Sequence, residues 1–231
     1  MTHRTAGSET TAPDVVASYV RKAVRSGELL PGHRISEREL SDACFVGRNA
    51  VREGLMRLVA DGTLVREPGH SAVVRKFTLE EVWAHHQIRE SLEGLAAGLA
   101  AGRPDQARYH EALRNIDRRL KECASIGDRD GFFEANSEFH SIVVEMGGNP
   151  FIQSHIDLTR ASQLRMQSSR FMTIEGMQRS HAEHEAIIVA ILSGDTLSAE
   201  ASMRKHIRGT RRIFLEMGDT FLVDEVTPLV K

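Results

Sequence analysis

Four polar side chains interrupt apolar helical stripes in the second half of the chain, and their types suit metal binding. Asn136 and His140 lie four residues apart, so both side chains can reach the same point from one face of a helix. His184 and His206 come from two further helical segments. Imidazole nitrogens are common ligands of divalent transition metals such as zinc and nickel. Because an unpaired polar group in a helical core costs several kcal/mol, these residues predict either a metal site or mutually satisfied core histidines.

Three histidines around a metal with an open coordination position could also activate water in a metalloenzyme. The chain has no HExxH motif, and the related stretch HAEHE at 181–185 has a different spacing. No aspartate or glutamate is evidently placed in the sequence as a general base. We therefore expect the metal to serve ligand binding, and the protein to be no enzyme.

The stretch GRNAVREGLMRLVADG, residues 47–62, carries a second kind of chemistry. Arg48 and Arg52 lie one helical turn apart on one face, separate from a core-facing stripe of Val51, Leu55 and Leu58. An arginine can bind the O6 and N7 atoms of guanine or neutralise a phosphate. The pattern indicates a helix that binds DNA.

Structural alternatives exist for three arginines of the chain: Arg38, Arg52 and Arg89. Arg52 could instead pair with Glu53 or Glu39, and Arg38 could be an ordinary solvated charge. Further along the chain, Arg89 shares a helical face with Glu93, one turn away, and could form an internal salt bridge with it.

The elements around residues 47–62 are those of a winged helix-turn-helix. A helix is predicted from Asp14 to Ser26, and Ser36 with Glu39 forms a capping box that opens a short second helix. Short β-prone runs at 63–66 and 72–74 flank a Pro-Gly turn and form the wing. We assign 1–12 to a disordered arm and 13–76 to a winged helix-turn-helix DNA-binding domain.

The rest of the chain has helical periodicity almost throughout. Helices are predicted at about 79–101, 105–126, 129–147, 150–170, 175–193 and 196–217. We expect a mainly α protein whose residues 77–222 form an antiparallel helical bundle with room for a pocket, followed by a tail at 223–231. The Gly-rich and Ala-rich stretch ESLEGLAAGLAAG should let neighbouring helices approach closely.

Composition and charge agree with this division. The chain has 231 residues with 41% hydrophobic and 5% aromatic content, which suits a folded, helical protein. No apolar run approaches the roughly 18 residues of a membrane span, and the polar N-terminus lacks a signal peptide, so we expect a cytoplasmic protein. Residues 1–76 carry 12 lysines and arginines against 9 acidic residues, whereas 77–231 carry 18 against 23. Only the first part would tolerate a polyanion.

The stretch GELLPGHRISERELSDACFVGRNAVREGLMRLVADGTLVREPGHSAVV resembles the DNA-binding domain of GntR-type bacterial transcription regulators. Downstream, IRESLEGLAA, NSEFH, HAEHEAII, LSGD and MRKH are similar to the helical ligand-binding domain of the FadR branch, called FCD, in its shorter VanR-like form. Together these motifs cover nearly the whole chain after the first dozen residues.

The resemblance implies roles for particular residues. The expected DNA contacts are Arg38, Arg48, Asn49 and Arg52, with Gly69 and His70 at the tip of the wing. In the helical domain the family places an effector-carboxylate anchor at Arg89, and His181 is a weaker candidate for effector contact. The family's metal ligands, one Asp and three His, correspond to Asn136, His140, His184 and His206.

The chain departs from the family pattern at two places. Gly47 stands at the start of the recognition helix where Ser or Thr is usual, and Asn49-Ala50 replace Thr-Pro. Gly is a usable N-cap, and Asn49 could read adenine, so operator preference should differ from that of relatives. Asn136 replaces the Asp ligand, and its neutral amide should weaken metal affinity.

These inferences together predict a transcriptional regulator, most simply a repressor. A single winged helix neutralises few phosphates, so a homodimer on a palindromic double-stranded operator is expected. A small carboxylate held between a metal and Arg89 would modulate DNA affinity. The alternatives are a DNA-binding regulator with a degenerate, non-responsive pocket and a three-histidine metalloenzyme.

Overall fold

The computed structural model describes residues 10–66, 72–160, 172–216 and 222–223. They belong to two compact units, and the chain passes from the first to the second between Lys76 and Phe77. The protein is mainly helical, with a two-stranded wing in the first unit, as the sequence predicted. Among the described residues, no helix combines the length and the apolar character that crossing a bilayer requires.

The N-terminal unit contains three helices and one hairpin. Its elements are α1 (Ala12–Ser26), α2 (Glu37–Cys44), α3 (Arg48–Ala60), β1 (Leu64–Arg66) and β2 (Ala72–Val74). The strands are antiparallel, with Leu64 opposite Val74 and Arg66 opposite Ala72. This order is that of a winged helix-turn-helix.

Capping side chains explain where the first two helices begin. The Thr11 and Asp14 side chains form a capping box that starts α1 two residues earlier than the predicted start at Asp14. The Ser36 hydroxyl accepts the Glu39 amide hydrogen at 3.3 Å and so caps α2. Both caps satisfy amide groups that have no partner inside the helix.

The core of the N-terminal unit forms between α1 and α3. Val16, Val20 and Val24 face the core from α1, and the predicted stripe of α3 is buried against them. Gly54 permits this close crossing, because a Cβ atom there would lie 2.8 Å from Val16 Cβ. The apolar face of α3 is therefore fixed, and its opposite face is left to solvent.

The C-terminal unit is a helical bundle with one small pair of strands. Its elements are β3 (Phe77–Thr78), α4 (Leu79–Ala101), a 3₁₀ turn (Gln106–Tyr109), α5 (His110–Ile126), α6 (Arg129–Gly147), α7 (Pro150–Arg160), α8 (Ile174–Leu192), α9 (Thr196–Gly209), α10 (Arg211–Glu216) and β4 (Leu222–Val223). β3 and β4 pair in parallel, with Phe77 opposite Leu222.

Three helix predictions differ from the structure in detail. The single helix expected at 196–217 is interrupted at Thr210, whose hydroxyl donates to the Ile207 carbonyl oxygen at 2.7 Å. The segment expected as one helix from 105 begins as a 3₁₀ turn and becomes α-helical only at His110. The helix expected at 150–170 is observed to Arg160, and its remainder lies outside the described residues.

Helix α4 occupies the centre of the C-terminal unit. It packs against α6, α7, α8, α9 and α10. Gly98 allows α9 to come close, because a Cβ atom there would lie 3.3 Å from the Thr196 carbonyl oxygen. The inference from ESLEGLAAGLAAG is thus confirmed. Because α4 is surrounded by these helices, its polar residues His86, Arg89 and Glu93 are buried in the bundle.

Candidate metal centre and DNA-binding surface

The structure brings three of the predicted ligands together. His140 on α6, His184 on α8 and His206 on α9 are all buried, and one ligand atom from each lies within 4.8 Å of those of the other two. The Nε2 atoms of His184 and His206 are 3.1 Å apart. Side chains from α6, α8 and α9 therefore converge on one point of the core.

The donor set fits a transition-metal ion. Two imidazole nitrogens at 3.1 Å cannot both present lone pairs to each other, so a proton or a cation must lie between them. Two nitrogens that share one ion at roughly 2.1 Å would be about 3.0 to 3.4 Å apart, for octahedral to tetrahedral angles. The observed separation falls within that range.

Carboxylates contact the outer nitrogens of two of these histidines. Glu183 Oε2 lies 2.8 Å from His206 Nδ1, and Glu93 Oε2 lies 2.5 Å from His140 Nδ1. In metal sites a ligand histidine usually donates its second N–H to such an acceptor, which orients the ring. Both contacts engage Nδ1, so Nε2 of each ring is the nitrogen left for an ion.

Glu93 contacts the cluster, and sequence reasoning did not connect it with His140. The sequence indicates Glu93 only as an ion-pair partner of Arg89, because the two are four residues apart on one helix. Its contact with His140 joins α4 to α6 across 47 sequence positions, and no local spacing signals such a contact. The sign available in the sequence was that Glu93 shares one helical face of α4 with Arg89 and Ala96.

Arg89 is buried, and its Nε donates to Glu93 Oε1 at 2.7 Å. The guanidinium thus points into the bundle, as its helical face predicted, and it forms the internal salt bridge that was the alternative to an effector anchor. Glu93 uses one oxygen for Arg89 and the other for His140.

The two remaining candidate residues, Asn136 and His181, lie close in sequence to histidines of the cluster. Asn136 is half-buried on α6, one turn before His140. The Nε2 atom of His181 on α8 lies 2.9 Å from Asp117 Oδ1 on α5. This contact gives His181 a packing role between two helices.

A further buried histidine lies on α4, outside the cluster. His86 Nδ1 lies 2.8 Å from the Val82 carbonyl oxygen. Burial lowers the pKa of His86 from its ordinary 6.5 to about 3, and the positive charge of Arg89 adds to this effect. His86 is therefore neutral at physiological pH, and its Nδ1–H donates to the carbonyl.

The predicted DNA contacts lie on the solvent face of the N-terminal unit. Arg48 and Asn49 are exposed in the first turn of α3, which Gly47 caps without a side-chain hydrogen bond. Arg38 on α2 is 88% exposed. Gly69 and His70 lie outside the described residues.

Arg52 is exposed and forms an ion pair, but with a partner different from the two that were considered. Its Nε donates to Glu37 Oε2 on α2 at 3.1 Å, whereas Glu53 pairs with Arg57. The turn between α2 and α3 brings Glu37 to Arg52, which no helical spacing could indicate.

Comparison with known proteins agrees with this architecture. Residues 13–74 match the family described as bacterial regulatory proteins, gntR family, and residues 85–209 match the FCD domain. The second match alone covers more than half of the chain.

Curated relatives and a solved structure extend over most of the chain. The transcriptional regulator LutR of Bacillus subtilis is 29% identical over 209 residues, covering 80% of this chain and 92% of LutR. The transcriptional repressor RspR of Escherichia coli is 23% identical over 197 residues, covering 84% of this chain and 86% of RspR. The structure of E. coli McbR/YncC covers 90% of this chain and 99% of its own, with a TM-score of 0.75 and 17% identity, and shares the fold. The chain thus belongs to the GntR family of bacterial regulatory proteins, as a DNA-binding transcriptional regulator with a C-terminal FCD domain.

Proposed function

We propose that this regulator is a repressor that binds a palindromic operator as a homodimer and releases it when a small carboxylate enters the C-terminal unit. The observation that carries the proposal is a buried guanidinium, that of Arg89, connected through Glu93 to His140 of the three-histidine cluster. A buried cation next to candidate metal ligands is suited to an anionic ligand.

The DNA-binding half of the proposal rests on α2 and α3. Arg38, Arg48 and Arg52 present exposed guanidinium groups, and Asn49 lies beside Arg48 at the start of α3. The buried face of α3 fixes the backbone positions from which Arg48, Asn49 and Arg52 extend. We assign base contacts to Arg48 and Asn49, backbone contacts to Arg38 and Arg52, and the wing tip to Gly69 and His70.

Two copies are needed because one winged helix neutralises few phosphates at physiological salt. Pairing of two chains would place two recognition helices on the half-sites of a palindrome. The name of RspR, a repressor, agrees with the proposed direction of regulation.

In the effector half, His140, His184 and His206 would hold a divalent ion such as Zn²⁺ or Ni²⁺, with the Asn136 amide oxygen as an additional neutral ligand. The bound ion would supply positive charge that attracts one oxygen of an anion. Arg89 would donate its remaining N–H groups to the other oxygen, and His181 is a candidate for a further contact.

The effector can act only through its different affinity for the DNA-bound and free arrangements. Couplings of this kind amount to about 1 to 3 kcal/mol, or roughly 5- to 150-fold in DNA affinity. This range suffices for a genetic switch.

The test begins with selection of bound fragments from the host genome by the untagged, chelator-free protein, whose metal content is measured separately. DNA affinity for the selected operator is then measured with a panel of small carboxylates and, as matched controls, their neutral amides. We expect one carboxylate class to weaken binding at least fivefold while its amide has no effect. Release by amides as well as acids would contradict the assigned role of Arg89.

A second candidate function is a DNA-binding regulator whose pocket responds to no ligand. The Arg89–Glu93 pair favours it, because the proposed anchor already has an internal counterion. Thermal-shift screening separates the two candidates. A carboxylate that raises the melting temperature supports the responsive regulator, and operator binding without any such ligand supports the second candidate.

A further inference from the structure

Glu93 contacts both Arg89 and His140. Its side chain is 1% exposed, its Oε1 accepts from Arg89 Nε at 2.7 Å, and its Oε2 lies 2.5 Å from His140 Nδ1. A buried carboxylate therefore joins the side chains of Arg89 on α4 and His140 on α6, away from water.

The hydrogen-bonding capacities of the three groups determine where the protons lie. A guanidinium only donates and an ionised carboxylate only accepts. The Glu93 Oε2 atom, 2.5 Å from His140 Nδ1, would repel a lone pair on that nitrogen, so the contact favours a proton on Nδ1. When Nδ1 carries the proton of a neutral imidazole, Nε2 carries the lone pair. That is the nitrogen which the cluster needs for an ion.

We propose that Glu93 is a positioning residue that holds His140 in the Nδ1–H tautomer and links this ligand to Arg89. This inference rests on the metal site of the proposed function and adds how that site is connected to the anion anchor. An anion that engages Arg89 shares its donors with Glu93, so it also alters the acceptor strength that His140 experiences. Glu93 thereby couples the anion to the metal ligand.

The cluster has a matching contact at His206. Glu183 on α8 contacts His206 Nδ1 and is itself partly exposed, with Arg212 Nη2 3.9 Å from its other oxygen. Two carboxylates, Glu93 on α4 and Glu183 on α8, thus each contact one histidine of the cluster. Unlike Glu183, Glu93 connects the cluster to a buried cation, that of Arg89.

Substitution of Glu93 by glutamine makes a specific prediction about protons. Arg89 can only donate, so the amide oxygen of Gln must face it, and the amide NH₂ must then face His140. An NH₂ group cannot accept from Nδ1–H. The proton of His140 must therefore move to Nε2, which removes the lone pair from the side of the ion.

The matched control is Glu90→Gln on the same helix. Glu90 accepts hydrogen bonds from Arg208 and Arg211, so this substitution also removes a carboxylate of α4 that is paired with arginine. The contacts of Glu90 are with these arginines rather than with the three histidines. A general effect of losing a carboxylate on α4 would appear in both variants.

The first measurement is long-range ¹⁵N–¹H NMR of the metal-free protein, with the His140 signals identified from a His140→Gln variant. We expect a protonated Nδ1 in the wild type and in Glu90→Gln, and the Nε2–H tautomer in Glu93→Gln. An unprotonated His140 Nδ1 in the wild type would overturn the inference. This outcome is decided on the wild-type protein even if Glu93→Gln fails to fold.

The second measurement is the affinity for Zn²⁺ and Ni²⁺, determined by competition with a chelator of known affinity. Loss of such an outer partner commonly lowers metal affinity 10- to 100-fold, so we expect about this loss in Glu93→Gln and no change in Glu90→Gln. Equal affinities in Glu93→Gln and the wild type would refute the positioning role. A wild type that binds neither ion would instead refute the metal site of the proposed function, while the NMR result would still decide the role of Glu93.

Discussion

Two arginine–glutamate pairs, one in each unit, have similar chemistry but opposite environments. In the N-terminal unit the side chains of Arg52 and Glu37 are 62% and 36% exposed. In the C-terminal unit those of Arg89 and Glu93 are 5% and 1% exposed. The first pair is surrounded by water and the second is not.

The difference in exposure determines which ligands can reach the arginine of each pair. An exposed pair contributes little to stability, so Arg52 can exchange Glu37 for a DNA phosphate at small cost. A buried pair has lost its hydration, and removal of one partner leaves an uncompensated charge. The charges of α3 are therefore available to a polyanion, whereas Arg89 is accessible only to a ligand that can replace buried contacts.

The largest expected effect is on stability, and it contrasts the two pairs directly. Arg89→Met should lower the free energy of unfolding by about 3 to 5 kcal/mol, because the Glu93 charge stays buried. Arg52→Met should lower it by less than about 1 kcal/mol. Urea denaturation followed by circular dichroism measures both. The double variant Arg89→Met/Glu93→Leu should recover much of the loss, and equal losses in the two single variants would remove the distinction between the pairs.

The next effect concerns DNA affinity and reverses the contrast. Arg48→Ala should weaken operator binding by about 1 to 3 kcal/mol, because it removes a contact to a base or a phosphate. The free energy of unfolding should not change. Arg118→Ala, an exposed arginine on α5, is the matched control and should leave affinity unchanged. Fluorescence anisotropy with labelled operator measures both variants. Full affinity of Arg48→Ala would exclude α3 as the recognition helix.

Acid should destabilise the C-terminal unit through His86. The pKa of His86 is about 3 in the folded state and 6.5 when exposed, so the unfolded state binds the proton first as pH falls. The contribution of neutral, buried His86 to stability is fully present above pH 6.5 and is progressively lost as pH falls towards 3. The loss reaches about 2 kcal/mol at pH 5, at 1.36 kcal/mol for each pH unit.

The comparison of His86→Gln with the wild type isolates this contribution. Urea unfolding between pH 7 and pH 5 should show a shallower loss of stability in the variant. His33→Gln, at an exposed histidine of the N-terminal unit, is the control and should follow the wild type. If His86→Gln has the wild-type slope, burial of His86 is not the source of the acid sensitivity.

The smallest effect lies in the turn between α2 and α3. Phe45 has a φ of 55° and is 94% exposed, so it adopts a left-handed conformation without burying its ring. Glycine adopts this conformation without steric cost, and Phe45→Gly should raise the unfolding free energy by about 1 kcal/mol. Phe45→Ala removes the same ring but keeps the Cβ atom, so it should give no comparable gain in thermal or urea denaturation. A gain of equal size in both variants would point to the ring rather than the backbone.

Local patterns in the sequence were sufficient for most of the helices and for the face of each that is buried. Val51, Leu55 and Leu58 repeat at helical spacing, and this periodicity follows from backbone geometry alone. The convergence of His140, His184 and His206 was also predicted, because each interrupts an apolar stripe that must face the core.

Short elements and helix ends were less predictable. The strands Phe77–Thr78 and Leu222–Val223 are too short to show a period, and they are stabilised by pairing across more than 140 positions. The break at Thr210 depends on a side chain that bonds to the backbone in preference to continuing the helix.

The sequence alone thus determined the helical class, the order of the elements, the exposed arginines of α3 and the inward direction of the histidines. Each of these depends on neighbours within one or two turns of the same helix. Only the tertiary structure decided that Arg52 pairs with Glu37 and that Glu93 contacts both Arg89 and His140. Ion pairs and hydrogen bonds between elements depend on distances of a few ångströms, and packing of the chain sets those distances.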